Sequence, residues 1–295
     1  MKHTKLLLIA AAVFAAAAAQ AQPRSFVSGD QAGATVTDGR QPRYIRLGTE
    51  SSGWYGNRAS VHITYSNLLT YKGKRLYHTH KNSTSFARFD EIGKLPLTRR
   101  LFDGIVNRDD NGVTVTRLYR MYSPVYRYVP GGVPNDYSNL GRMSFARVGN
   151  ADVYFGDWAD VQPGAAAGTA GTNYSVFYNG TGKTAKMPTG GTAVYSVKGI
   201  NHHVDANTAL LTGDLKADFA KKRLNGTIKR PGLSVTVDNA VINPANASFS
   251  GRAAANDVSG TTRGNFYGND AAALAGVAEF ARNPNLNTAF GGTKK

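Results

Sequence analysis

The sequence predicts a mainly β protein in two parts: a strand-rich N-terminal domain with one or two short helices, then a small closed antiparallel barrel. Three observations predict it. The second half alternates apolar and polar residues with a period of two, glycine is frequent at 33 residues, and tyrosine and phenylalanine (15 and 13) far outnumber tryptophan (2), a balance that suits strands and turns. Of 295 residues, 41% are hydrophobic and 10% aromatic, enough apolar material for one large or two medium cores and too much for intrinsic disorder.

In chain order, an export signal comes first. Lys2 and Lys5 precede an apolar run from Leu6 to Ala19, and Ala19-Gln20-Ala21 is a small-x-small cleavage site. That run is shorter than the ~20 residues needed to cross a bilayer, so residues 1–21 read as a signal peptide and the mature protein as one that does not span a membrane. Residues 22–163 form the N-terminal domain. Strands are expected at Val61–Tyr65, Arg75–His80, Val113–Tyr122, Val125–Val129 and Ala151–Trp158, with a hairpin turn at Asn111-Gly112. Phe86, Phe89 and Ile92, then Leu97, Leu101 and Ile105, fall at helical spacing on either side of Pro96 and predict the short helices.

Residues 164–171, an uncharged Gly/Ala stretch, read as a linker between domains. Residues 172–295 then carry the barrel. Ala193, Tyr195 and Val197, Leu215, Ala217 and Phe219, and Leu233, Val235 and Val237 alternate with polar neighbours, and Asn179-Gly180 and Asn225-Gly226 are hairpin signals. Closing the barrel removes exposed sheet edges. A transmembrane barrel is excluded because Asp214, Lys216 and Asp218 would then face lipid.

The motifs Leu211-Thr-Gly-Asp-Leu-Lys-Ala-Asp-Phe219, Lys222 to Ile228, Phe249-Ser250-Gly251, Asn265-Phe266-Tyr267-Gly268 and Ala271 to Phe280 follow one another in an order that resembles the C-terminal eight-stranded barrel of the transferrin-binding protein B family. The resemblance covers about residues 172 to 293. Asp152 to Trp158 and the Tyr-rich segment Arg117 to Val129 extend it, so that the whole chain resembles the hemophilin-like cargo proteins of the Slam-type (type XI) outer-membrane secretion system. That resemblance implies a handle- or clamp-like N-terminal ligand domain, non-covalent binding of haem b captured from host haem proteins, and delivery to a TonB-dependent outer-membrane receptor. Many relatives are lipoproteins. This chain has no cysteine, which implies release from a Gram-negative cell through the periplasm and a Slam-type translocon rather than lipid anchoring.

A haem iron needs an axial donor, aromatic or apolar walls and cations for its propionates. His62, His78, His80, His202 and His203 supply imidazole, which is mostly neutral at pH 7. A strand places His78 and His80 on one face, roughly 7 Å apart; one of them is the expected axial ligand, because neighbours on one face do not clamp an iron from opposite sides. His62 is a weaker candidate within an apolar strand, and His202-His203 reads as a loop feature. Arg75, Lys74 and Arg120 are candidate propionate partners. Tyr65, Tyr77, Tyr119 and Tyr122 are candidate packing faces for the ring, or simply strand packing.

Other function classes fit poorly. Gly180-Thr-Gly-Lys-Thr184 lacks the first glycine of a phosphate loop, which falls at Phe177, and no Gly-x-Ser-x-Gly or His-Glu-x-x-His occurs, so the chain is not read as an enzyme. The formal net charge of +16 is spread evenly: residues 22–163 hold 19 basic and 12 acidic side chains, and residues 164–295 hold 14 and 7. Even spread, export and the lack of a reader motif argue against nucleic acid as a partner. The alternative is a secreted or surface-associated factor that binds a host protein, since a barrel scaffold does not fix the ligand.

Overall fold

The computed structural model describes residues 33–37, 42–52, 56–64, 68–71, 74–78, 84–90, 92, 107–108, 112–119, 139–161, 165–166 and 168–295. β1 (Gly33–Thr37), β2 (Pro42–Ser52), β3 (Gly56–Thr64), β4 (Leu68–Tyr71), β5 (Lys74–His78) and β6 (Thr84–Arg88) come first. Of these, β1-β2-β3-β6 form a four-stranded sheet, and β4 and β5 pair only with each other among the described residues. β7 (Asn107–Arg108), β8 (Val113–Tyr119), β9 (Asn139–Arg147), β10 (Val153–Asp160) and β11 (Thr172–Gly180) build a five-stranded sheet in the order β11-β10-β9-β8-β7. Gly112, at φ +81°, closes the connection from β7 to β8, where Asn111-Gly112 predicts a turn.

The barrel is eight-stranded and closed: β12 (Thr192–Ile200), β13 (Leu211–Asp218), β14 (Arg223–Arg230), β15 (Leu233–Asn243), β16 (Ser248–Ala255), β17 (Val258–Tyr267), β18 (Ala273–Glu279) and β19 (Thr288–Lys294), with β19 pairing back onto β12 from Tyr195↔Lys294 to Ile200↔Ala289. The alternating triplets Ala193/Tyr195/Val197, Leu215/Ala217/Phe219 and Leu233/Val235/Val237 fill its interior with Phe249, Phe266, Phe280 and Phe290. Asp214 and Lys216 are exposed. Burial of one alternating set and solvation of the other is what a period of two demands of a half-wet strand.

Four local expectations differ from what is observed. Phe86 lies in β6, and Phe89 and Ile92 follow it in turns, so no helix forms there; pairing of β6 with β3, Phe86 opposite His62, outweighs the helical spacing. The second expected helix, Leu97 to Ile105, lies outside the described residues, as do residues 1–21 and Val125–Val129. Asn225-Gly226 sits inside β14 at a bulge rather than in a turn. There a Cβ on Gly226 would stand 2.2 Å from the Asp214 carbonyl, so glycine serves the barrel's bend. Asn179-Gly180 ends β11, which pairs with β10 and not with a barrel strand. The Gly/Ala stretch at 164–171 therefore joins two neighbouring strands of one sheet, that sheet continues past residue 172, and the barrel's own strands begin at Thr192.

Among the described residues there is no α-helix, only two 3-10 turns at Asn269–Ala271 and Pro284–Leu286, and no helix long and apolar enough to cross a membrane. The five-stranded sheet lies against the barrel. Val153, Phe155, Tyr174, Val176 and Tyr178 pack with Ile200, Tyr267, Ala275, Val277 and Ala289 in one buried cluster. Gly291 permits the approach, because a Cβ there would stand 2.5 Å from Val148 Cγ2 and 2.6 Å from Phe155 Cδ1.

Candidate functional site

The expected ligand residues fall on three different sheets. Arg75, Tyr77 and His78 share β5, where Tyr77 pairs with Leu69, His78 with Leu68 and Arg75 with Thr70 across a bulge. Tyr119 closes β8 opposite Asn139, and His62 stands on β3 opposite Arg46 and Phe86. Lys74 opens β5, which ends at His78. His80, Arg120, Tyr122 and Tyr65 lie outside the described residues.

Residues that were not expected as ligands line the two faces of the five-stranded sheet. On the barrel side, Arg142 of β9 is 2% exposed and Asp157 of β10 is 0% exposed, with Nη1 to Oδ1 at 2.9 Å. A charge pair with so little water is tolerable only with further partners. Arg142 Nη1 also donates to Ser144 Oγ (2.5 Å) and to the His203 carbonyl (3.0 Å), which accepts from Ser144 Oγ as well (2.6 Å). Asp157 Oδ2 accepts from His203 N–H (2.9 Å) and the Tyr174 hydroxyl (3.4 Å). That hydroxyl also donates to the Asn287 carbonyl (3.1 Å) and accepts from His202 N–H (3.0 Å). These bonds tie β9, β10 and β11 to the loop after β12, so His202-His203 is a loop feature that serves as a joint.

Burial, and secondarily the Asp157 carboxylate, push the Tyr174 hydroxyl well above its usual range. It stays a neutral donor. The His202 ring stacks on Tyr174 with centroids 3.6 Å apart. Burial lowers its pKa, with Asp157 opposing and Arg142 and Arg230 reinforcing the shift. Arg230 braces the same loop, donating to the carbonyls of Asn201 (3.0 Å) and Ala209 (2.8 Å) and to Asn201 Oδ1 (2.7 Å).

The opposite face carries rings. Phe145, Tyr154 and Phe177 surround Phe89 from the turn after β6, with centroids 5.0, 4.7 and 6.0 Å from it. Burial and the neighbouring Asp152 raise the Tyr154 hydroxyl far above its usual range, which disfavours the phenolate that iron ligation requires. Polar bonds between the four- and five-stranded sheets flank the rings. Asp152 Oδ2 accepts from Ala59 N–H (2.8 Å) and Thr181 Oγ (2.7 Å), and Asn179 Nδ2 donates to the carbonyls of Gly48 (2.9 Å) and Ser60 (3.3 Å). The only signal for this face in the sequence is the aromatic run Asp152 to Trp158; β9, reading Asn-Leu-Gly-Arg-Met-Ser-Phe-Ala-Arg, shows no clean alternation.

A cleft of about 520 Å³ opens where the sheet meets β12 and β19, lined by Arg147, Phe155, Ser196, Lys198, Gly291 and Thr293 among others. Among the described residues, no three His, Asp or Glu side chains gather as a metal site.

Two family models match the chain. Residues 102–172 match the HphA N-terminal heme-binding domain and residues 184–294 the HphA C-terminal domain; the first match begins after β5. Among solved structures, the apo haemoglobin receptor HpuA from Kingella denitrificans is similar at 17% identity over 90% of this chain and 85% of that one, with a TM-score of 0.42. A transferrin binding protein B mutant from Actinobacillus pleuropneumoniae is similar at 13% over 79% and 98%, TM-score 0.38. The N-lobe of lactoferrin binding protein B of Moraxella bovis is similar at 17% over 80% and 99%, TM-score 0.36.

Proposed function

The chain belongs to the HphA (hemophilin) family, and from that premise we propose that it is a released haem-binding protein that captures haem b from host sources. The observation that carries the reading is the match of residues 102–172, from before β7 to the first residue of β11, to a heme-binding domain. The side chains available fit such a cargo. His78 offers an imidazole donor on a strand that also carries Tyr77 and Arg75, the residue types an iron porphyrin needs for its iron, its faces and its propionates. A chain without cysteine cannot make the thioether bonds of a c-type haem, so the cargo is held non-covalently.

In this reading His78 or His80 ligates the iron, with His62 a weaker candidate, and Arg75, Arg120, Tyr77, Tyr119 and Tyr122 contact the ring or its carboxylates. Export removes residues 1–21, a Slam-type translocon passes the protein across the outer membrane, no lipid holds it there, and a TonB-dependent receptor takes the haem. The barrel serves secretion and structure and carries no catalysis.

Titrating haemin into the mature protein should give a sharp, saturable Soret band at one haem per chain. Either His78→Ala or His80→Ala should shift that band; if neither does, the ligand assignment is wrong although haem binds. A wild-type protein that gives no band, but retains one tight partner from host serum, would move the chain to host-protein binding.

A further inference from the structure

We propose that the end of the barrel crossed by residues 181–191 is a docking surface for an anionic lipid bilayer, whose phosphate headgroups it meets with exposed lysines. The inference goes beyond haem capture and does not depend on it. Such a surface keeps a released protein close to a membrane.

The antiparallel topology collects the lysines. β13, β15, β17 and β19 end where β12, β14, β16 and β18 begin, so the approach from β11 and the turns after β13, β15 and β17 share one end. Lys183 and Lys186 on the approach and Lys221 and Lys222 on the turn into β14 are exposed, with Arg223 half-buried beside them. The acids there are Asp270 and Asp218, the latter 3.8 Å from Lys221 Nζ, an exposed pair that leaves the lysine available to other anions. Lys294 and Lys295 finish β19 at this end, on the Asp270 carbonyl and the Asp214 carboxylate. Lys183, Lys186 and Lys222 form no ion pair among the described residues. At the other end, Arg230 and Arg282 stand with Asp205, Asp257 and Glu279, so the barrel is basic at one end only.

The segment that presents Lys183 and Lys186 is fixed to the barrel. Thr184 N–H donates to the Phe266 carbonyl (3.0 Å) and its Oγ1 to the Gly268 carbonyl (2.8 Å), Gly268 N–H donates to the Gly182 carbonyl (2.8 Å), and Met187 is buried in the barrel core. Docking therefore has no loop to order here. Residue type then selects the partner. Tight protein interfaces are built on Trp, Tyr and Arg, whereas this end offers lysine, a compact hydrated point charge. Among the described residues, the large hydrophobic side chain left exposed is Val241, at 48%, opposite Arg223 on the same rim. Pro244 and Ala245, exposed in the turn after β15, follow it. Cations around a small apolar tip suit the boundary between headgroups and acyl chains, where each lysine near an anionic surface contributes roughly fivefold in binding.

Co-sedimentation of the full mature chain with vesicles tests this, using phosphatidylcholine alone and phosphatidylcholine mixed with phosphatidylglycerol. Wild type should bind the anionic vesicles and not the neutral ones, and binding should fall about tenfold or more between roughly 0.05 and 0.3 M salt. Lys183→Glu with Lys186→Glu should weaken it about tenfold or more. Lys221→Glu with Lys222→Glu, on a separate element, serves if the first pair does not fold. Lys229→Glu with Arg282→Glu makes the same change of charge toward the other end and should weaken binding roughly twofold at most. Equal losses from the two ends would mean that net charge alone attracts the protein, which overturns the surface. Wild type that binds neither vesicle at low salt, or that binds soluble polyphosphate but no vesicle, also overturns it and leaves the lysines to an acidic protein or a free polyanion.

Discussion

The two faces of the five-stranded sheet are joined to their neighbours by different chemistry. On the barrel side, Asp157 has both carboxylate oxygens engaged, by Arg142, His203 and Tyr174, and a continuous apolar cluster surrounds the pair. On the other side, Asp152 uses Oδ2 twice while its Oδ1 has no partner, and the buried rings of Phe89, Phe145, Tyr154 and Phe177 pack together. The first joint loses much when a partner is removed. The second, held by single hydrogen bonds to Asp152 and from Asn179, has less to lose from any one substitution. Within one small sheet, the cost of breaking a joint is thus set by whether it is built on a buried ion pair or on neutral and singly charged hydrogen bonds.

The largest expected effect comes from breaking the ion-paired joint. Arg142→Leu leaves Asp157 buried without its cation, a change that costs about 3–5 kcal/mol in comparable settings. Urea denaturation should show that loss, and a double variant, Arg142→Leu with Asp157→Leu, should recover part of it because no charge is left unpaired. A single variant that loses less than about 1 kcal/mol would mean that water reaches the pair, and the contrast between the two faces would fail.

The second test acts on the opposite face. Asp152→Ala removes the acceptor for Ala59 N–H and Thr181 Oγ but also removes an unpaired buried oxygen, so the net cost is about 1 kcal/mol. Global unfolding should barely move, while the amides of Ala59 and Phe89 exchange faster in the absence of any ligand. Loss comparable to that of Arg142→Leu would show that the two faces are equally costly to break.

The barrel was legible in the sequence because strands such as β12, β13 and β15 bury one alternating set, and Leu215, Ala217 and Phe219 announce their inward face without help from neighbours. The five-stranded sheet was only half legible. Both of its faces are covered, so β10 reads as a run of buried residues from Val153 to Ala159, and alternation carries no information about which side meets the barrel. Arg142 looks like a surface residue in sequence, since its partner Asp157 lies on the next strand and His203 on a loop 61 residues away. Phe89 was visible as an apolar residue at helical spacing, but its pairing with rings on β9, β10 and β11 is tertiary. The histidines of the ligand expectation were chosen by residue type, which names a donor without fixing its surroundings.

The smallest expected effect is a pH dependence of the ion-paired joint, and it follows from His202. The groups facing that ring are Tyr174, stacked on it, the carboxylate of Asp157, the guanidinium groups of Arg142 and Arg230, and the Asn285 backbone. Burial comes first among the causes and holds the folded pKa below the unfolded value of about 6.5. The folded protein therefore binds this proton less readily than the unfolded chain. Stability from this group is fully present above the unfolded pKa and is lost as pH falls from about 6.5 toward the folded pKa. Thermal unfolding at pH 8 and pH 5 should show a lower midpoint at pH 5, and His202→Phe, which keeps the stack on Tyr174 but cannot take a proton, should reduce that difference. An equal difference in wild type and variant would mean that the acid sensitivity does not come from His202.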